Sequence, residues 1–210
     1  MRILIVGASS KKSIGYLVGE CLKKKGHNIL YASRRGSLGE KCDLLIQADV
    51  LRLFRSFQPE VVIHAAGVFT RPQRIGKAKM HSKMADHILA KSYGTLALLD
   101  AARRTPGVRH AIALGGRAVS SDPGLAIYTA ANGALWALTQ FAAQHLSNHF
   151  ATYYVDLPLI ENSTMARRLF PESSPDGSVS AGGVAVVVEE ALRGQHQSGR
   201  RIVLGEEWTI

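Results

Sequence analysis

The sequence predicts an α/β fold: a doubly wound, mostly parallel sheet of about seven strands with helices on both faces. Three observations carry this. Apolar segments of strand length alternate with longer amphipathic ones along the whole chain. Gly26, Pro106-Gly107 and Ser198-Gly199 fall where the intervening helices should end. The first apolar segment runs directly into a glycine-bounded turn and then an amphipathic stretch, the sequence form of a strand–turn–helix unit. At 210 residues the chain has the size of one such domain, and no repeat or linker divides 1–210.

Taken in order, strands are expected near 2–6, 28–33, 44–48, 60–65, 109–114, 151–157 and 201–204. Helices are expected near 14–25, 50–57, 82–104, 126–147 and 183–193. The stretch 159–177, with Pro171, Pro175 and three serines, reads as a flap beyond a strand's carboxyl end, over the ligand crevice of such a sheet.

Composition narrows the function classes. With 46% hydrophobic and 20% charged residues, the chain reads as a soluble globular protein. The longest apolar runs are strand-sized, so no membrane partner is expected. The amino terminus enters a strand at once, unlike a secretory signal, and a cytoplasmic location is expected. Cys21 and Cys42 show no metal or redox spacing. The net charge of +10 is the unusual bulk feature. Lys23-Lys24-Lys25 sits late in the first helix, where cations complement the dipole. Arg71, Arg74, Lys77, Lys79 and Lys83 have little aromatic interleaving, so they read as a solvated basic face and not as a nucleic-acid site. An anionic small molecule remains the partner this charge suits.

The turn after the first strand carries the first chemistry. Gly7 to Gly15 reads GASSKKSIG: Gly7 allows the tight turn and Gly15 lets helix and strand approach. Ser9, Ser10, Ser13 and Ile14 between them leave backbone N–H groups open to a pyrophosphate at the helix N-terminus. The second strand ends Ser33-Arg34-Arg35, with no acidic residue to take a ribose 2′-hydroxyl. A hydroxyl and guanidinium groups suit a 2′-phosphate instead, which points to NADP(H) over NAD(H).

The chain resembles the short-chain dehydrogenase/reductase family over essentially its whole length. Gly7, Ser13, Ile14 and Gly15 fit the longer phosphate loop of the enoyl-reductase branch, which ends Ser-Ile-Ala or Ser-Ile-Gly. The resemblance implies a Rossmann fold. It also implies that Asp49-Val50 after the third strand contacts adenine. His64-Ala65-Ala66-Gly67 would then close the fourth strand where the family has Asn-Asn-Ala-Gly. Small Ala65, Ala66 and Gly67 would let the cofactor pass, and His64 reads as structural. After the sixth strand Pro158 fits the family's Pro-Gly, Leu159 replaces the glycine, and Ser163 takes the slot of a nicotinamide-contacting threonine.

The family's catalytic set is altered. Tyr128 stands in the place of the tyrosine that exchanges a proton at the carbonyl oxygen. Asn132 occupies the slot of the lysine four residues on, which in the family lowers the tyrosine's pKa. Gly115-Gly116 fills the serine slot with Arg117 following, and Lys91 fills the asparagine slot. Lysine and asparagine have thus exchanged positions. The expectation is that Lys91 supplies the cation from the neighbouring helix, hydrogen-bonded to Asn132, while Arg117, Ser120 or the substrate itself takes over from the serine. Some small family members of unassigned activity also carry Asn-Gly-Ala-Leu here, as this chain does at 132–135.

The leading expectation is an NADP(H)-dependent oxidoreductase of a small-molecule carbonyl or alcohol. Alternatives are a non-redox dehydratase, isomerase or cyclase on the same scaffold, or an inactive NADP(H) sensor. The family pairs through its two long helices, here 82–104 and 126–147. Leu135, Trp136, Leu138 and Phe141 are too many bulky groups for one core stripe, so a homodimer or homotetramer is expected.

Overall fold

The computed structural model describes residues 1–67, 82–116, 126–169, 172 and 178–204. Seven parallel strands form one sheet: β1 (Arg2–Val6), β2 (Asn28–Ser33), β3 (Glu40–Lys41), β4 (Val61–His64), β5 (His110–Gly116), β6 (Ala151–Leu157) and β7 (Arg201–Val203). Their spatial order is β3-β2-β1-β4-β5-β6-β7. The order reverses between β1 and β4, where Ile3 to Val6 pair with Val61 to His64. A crevice opens outside the strand ends at such a switch point.

The helices are α1 (Ile14–Lys24), α2 (Gln47–Phe57), α3 (Ser82–Lys91), α4 (Tyr93–Arg104), α5 (Ala126–His145), α6 (Thr164–Leu169) and α7 (Ala181–Leu192). Alternation along β1 sorts them into layers. Ile3 and Ile5 pack with Val18 and Leu22 of α1 and Val184 and Val188 of α7. Leu4 and Val6 face the opposite way, onto Leu53 and Phe54 of α2 and Leu98 of α4. Successive side chains leave a strand on opposite faces, so one apolar run builds both cores.

The expected third strand, 44–48, is corrected. Pairing occurs earlier, at Ala32↔Glu40 and Ser33↔Lys41, and Gln47 already begins α2. The apolar run Leu44-Leu45-Ile46 resembles a strand but is a turn, which the Asp43 carboxylate holds by accepting from Leu45 N at 3.0 Å. The expected helix 82–104 is two helices that break at Ser92, whose hydroxyl donates to Ile88 O at 2.7 Å. α6, read from sequence as part of the flap, is a short helix. Ser163 Oγ accepts from Ala166 N at 3.1 Å, as a helix N-cap does. Bulky residues of α5 divide their roles: Leu135 is fully buried, and Trp136 packs edge-on against Tyr154 with centroids 5.2 Å apart. Phe141 faces outward, 53% exposed.

Among the described residues no helix is long and apolar enough to cross a membrane. No group of histidine, cysteine, aspartate and glutamate there can hold a metal ion.

Candidate active site

Two turns at the switch point touch each other. Gly7 adopts φ +117°, in the left-handed region, and a Cβ there would collide with the backbone of Ala65 and Ala66. The carboxyl ends of β1 and β4 can therefore meet only because residue 7 is glycine. Gly15 serves the expected close packing: its Cβ would stand 3.0 Å from Ala65 Cβ and 3.2 Å from Ile5 Cγ2. Ser9 and Ser10 are exposed along the turn. The Ser13 hydroxyl donates backwards to Ser10 O at 2.7 Å and does not cap α1, although Ser13 is its N-cap residue. The first-turn N–H groups after Ile14 thus have no side-chain cap, and an anion is the partner such groups take. Thr164 closes the far side, donating to Lys12 O from its backbone N at 2.9 Å and its hydroxyl at 3.1 Å.

At the end of β2 a turn runs from Ser33 to Gly36. Gly36 N reaches both Ser33 O at 3.1 Å and Ser33 Oγ at 3.2 Å. Ser33 is buried, and its hydroxyl oxygen shapes the turn by accepting from Gly36 N. Arg34 and Arg35 occupy the corner and point outward. Arg34 Nη1 bonds Asp86 Oδ2 of α3 at 3.0 Å.

The expected adenine pair is corrected. Val50 is fully buried within α2's contact with the core, and Asp49 Oδ2 accepts from Asp43 N at 3.0 Å. Both belong to the first turn of α2, since the true third strand ends at Lys41. The acidic–apolar pair that follows that strand is Asp43-Leu44. Its signal was a short distance from an apolar run that mimicked a strand.

Beyond β4, Ala65 is buried, Ala66 is half-buried and Gly67 is exposed. Gly67 stands against the neighbouring helix: its Cβ would lie 3.1 Å from Lys91 Cε and 3.3 Å from His87 Cε1. Pro158 is half-buried after β6. Ser163 is buried, and its oxygen is engaged in capping α6. Arg117 lies outside the described residues.

The centre of the site is the carboxyl end of β5. A Cβ at Gly116 would coincide with the Tyr128 hydroxyl, and one at Gly115 would strike the Tyr154 ring. The serine slot is therefore a glycine because Tyr128 fills the volume a serine would need. Asn132 fixes this packing: its Oδ1 accepts from Gly116 N at 3.1 Å and its Nδ2 donates to Tyr128 O at 3.0 Å. Tyr154 OH donates to Gly116 O at 2.9 Å. Asn132 is thus bound to β5 and to its own helix, not to Lys91 as expected.

Lys91 is buried, and its Nζ donates to Leu114 O at 3.0 Å. Burial pulls its pKa down to about 7. Thr95, one turn on, donates its hydroxyl to Lys91 O and meets His64 Nδ1 at 3.1 Å. With its proton committed, Thr95 must accept from Nδ1–H, which leaves His64 Nε2 as the unprotonated nitrogen. That nitrogen has no hydrogen-bond partner among the described residues. Burial, then the Lys91 charge, holds His64 well below its usual pKa.

Sequence reasoning missed His87. It lies one turn before Lys91, is buried, and stacks on the Tyr128 ring at 5.8 Å with 8° between planes. Burial first and Lys91 second lower its pKa to about 4, so it is neutral at physiological pH. Its only sequence signal was the i, i+4 spacing from Lys91, which faces both toward Gly67. Tyr128 is pushed up to about 12 by burial, against a hydrogen bond from Asn132 and with a smaller upward push from Asp156. The expected lowering by Lys91 is absent, since the group stacked on Tyr128 is the neutral His87 ring. Asp156 itself is buried and held by Arg201, whose Nε donates to Oδ2 at 2.9 Å.

Comparison with known proteins agrees with this architecture. No curated protein matches the sequence. A short-chain type dehydrogenase/reductase from Mycobacterium ulcerans superposes with TM-score 0.83 at 16% identity, covering 97% of this chain and 87% of the other. A small-chain dehydrogenase in complex with NADPH gives 0.76 at 17%, covering 98% and 96%. The 3-ketoacyl-(acyl-carrier-protein) reductase of Brucella melitensis, complexed with NADH, gives 0.78 at 15%, covering 97% and 96%. At such identities these likenesses establish the fold alone. The family model for the NAD dependent epimerase/dehydratase family matches residues 3–187. Through that match the chain belongs to the NAD dependent epimerase/dehydratase family, relatives of the short-chain dehydrogenases/reductases.

Proposed function

We propose that the protein is an NADP(H)-dependent oxidoreductase that reduces a small-molecule carbonyl, with Tyr128 as proton donor. The observation that carries this is the seating of the Tyr128 hydroxyl in the space of the missing serine, at the strand ends that border the cofactor crevice. The cradle of Gly7, the uncapped start of α1 and the open end of β4 fit a dinucleotide. Arg34 and Arg35 are its 2′-phosphate contacts. When bound, the nicotinamide supplies the hydride.

A tyrosine held near 12 is protonated at neutral pH, so its hydroxyl proton is present to be given to a developing alkoxide, although burial makes it a weaker acid than an ordinary tyrosine. Lys91 holds the carboxyl end of β5 beside the tyrosine through Leu114 O. Neutral His87 excludes water from one face of the tyrosine ring.

The test is oxidation of NADPH across a panel of aldehydes and ketones. Tyr128→Phe should abolish turnover while leaving NADPH affinity unchanged, and Arg34→Ala should weaken NADPH but not NADH. Turnover retained in Tyr128→Phe refutes the role of the tyrosine. The family's epimerase and dehydratase members favour one second reading, proton chemistry with no net change at the nicotinamide. Substrate conversion without loss of NADPH absorbance would establish it.

The protein is also proposed to self-associate. Leu89, Tyr93 and Leu96 recur at i, i+4 and i+7 along α3 and α4, each 42–47% exposed, and Phe141 of α5 is exposed as well.

A further inference from the structure

The Arg34–Asp86 pair joins the corner after β2 to α3, two elements 52 residues apart in sequence. Its distance of 3.0 Å is that of a formed ion pair, and both side chains keep access to solvent, at 57% and 34% exposure. Arg34 is the group proposed above for the ribose 2′-phosphate, and a carboxylate already pairs with it. The pair uses Nη1 alone. A guanidinium offers a second edge, Nε and Nη2, which matches a phosphate bidentately.

We propose that Asp86 is a specificity-determining residue for the cofactor, setting the NADPH to NADH preference by opposing Arg34. The inference rests on the assignment of Arg34 to the 2′-phosphate. Two effects follow from the position of the carboxylate. A 2′-phosphate carries about two negative charges, and a carboxylate paired with the guanidinium that binds it would oppose it. A ribose 2′-hydroxyl carries none, and a carboxylate beside it is the acceptor that NAD-type sites supply from the end of the second strand. Here that strand ends in Ser33 and Arg34, and the acid comes from α3 instead. Arg34 thus favours the phosphorylated cofactor, and Asp86 tempers the choice so that the unphosphorylated one is still accepted.

The opposing effects have different reach. Asp86 is partly exposed, so its influence is the modest one of a solvated ion pair, about two- to fivefold in affinity. Arg34 makes the direct contact and should matter more.

The experiment is calorimetric titration of the full chain with NADPH, NADH, 2′,5′-ADP and ADP, in the parent, Asp86→Asn and Arg34→Ala proteins. The fragments lack the nicotinamide, so the readout is independent of turnover. Asp86→Asn should tighten NADPH and 2′,5′-ADP by about two- to fivefold and leave ADP and NADH alike, either unchanged or weaker. Its thermal midpoint should stay close to the parent's, because Asp86 is partly exposed and a solvated ion pair contributes little to stability. Equal shifts for phosphorylated and unphosphorylated ligands, or none, would overturn the proposal while Arg34→Ala still reports on the phosphate contact. If Arg34→Ala leaves NADPH affinity intact, the assignment of Arg34 fails and the proposal falls with it. Weaker NADH with unchanged NADPH in Asp86→Asn would also overturn it, by making Asp86 a ribose ligand alone.

Discussion

Lys91 should be destabilising, and the size of the effect can be worked from its surroundings. Burial lowers its pKa from 10.5 to about 7. At about 1.4 kcal/mol per factor of ten in proton affinity, the charged form costs on the order of 5 kcal/mol inside the fold. The sign follows from proton counting. Between the two pKa values the unfolded chain binds a proton that the folded chain does not, so stability rises with pH across that window. Near pH 7 about 4 kcal/mol of the penalty is felt, and near pH 9.5 only about 1 kcal/mol remains. Staying at or above about pH 7 avoids the range in which the unfolded histidines gain protons. Lys91→Met removes the penalty and also the hydrogen bond to Leu114 O, whose orphaned acceptor costs about 1–3 kcal/mol. The variant should therefore be roughly 1–3 kcal/mol more stable than the parent near pH 7 and no more stable near pH 9.5. Urea unfolding at the two pH values measures both. The decisive quantity is the change of about 3 kcal/mol in the difference between the proteins, since the hydrogen-bond loss cancels from it. An offset that is the same at both pH values would refute the reasoning, because it would mean that Lys91 is solvated or already paired with an anion.

Three further outcomes are expected. Gly116→Ser, which brings back the family's residue, should cost at least about 1–3 kcal/mol and lower turnover, because its Cβ displaces the Tyr128 hydroxyl; thermal melting and turnover check the two halves. Gly7→Ala should be worse than an ordinary glycine-to-alanine change, about 3 kcal/mol or more, since φ +117° and the backbone collision with Ala65–Ala66 add; denaturant midpoints decide it, and a neutral result would mean the two turns part easily. The double variant Leu96→Glu and Phe141→Glu should lower the light-scattering mass of the protein toward that of one 22.7 kDa chain without changing its melting temperature by more than the loss of association itself. A parent protein already monomeric at micromolar concentration would remove the self-association proposal.

The parts of this molecule that were legible in the sequence are those whose chemistry is local. β1, the Gly7–Gly15 turn and α1 follow one another in the chain, and each glycine has a steric reason that spacing alone conveys. The third strand was not legible, because Leu44-Leu45-Ile46 has the apolarity of a strand while the pairing is made by polar Glu40 and Lys41. Edge strands of two residues carry almost no periodic signal. The lysine–asparagine exchange was visible as residue types in slots, but its meaning was not. Asn132 turned out to bond Gly116 and the Tyr128 carbonyl, and Lys91 to bond Leu114, so each serves β5 and neither serves the other.

The serine slot shows why. A glycine in place of a catalytic serine reads, from sequence, as a subtraction. In the fold it is a substitution of one hydroxyl for another, because the Tyr128 oxygen occupies the vacated volume and His87 closes over its ring. The two changes imply each other sterically: with a side chain at 116 the tyrosine cannot seat, and without the tyrosine Gly116 would border a void. Asn132 then has a reason to stand where the family places lysine. A lysine could not both accept from Gly116 N and donate to the Tyr128 carbonyl, since an ammonium has no acceptor, whereas an amide has both functions. The cation displaced from that slot had to enter from another element, and α3 is the one that faces the carboxyl end of β5 across Gly67. The altered residues form one mutually dependent arrangement around a retained tyrosine, which is the physical ground for reading the site as rebuilt and not as eroded.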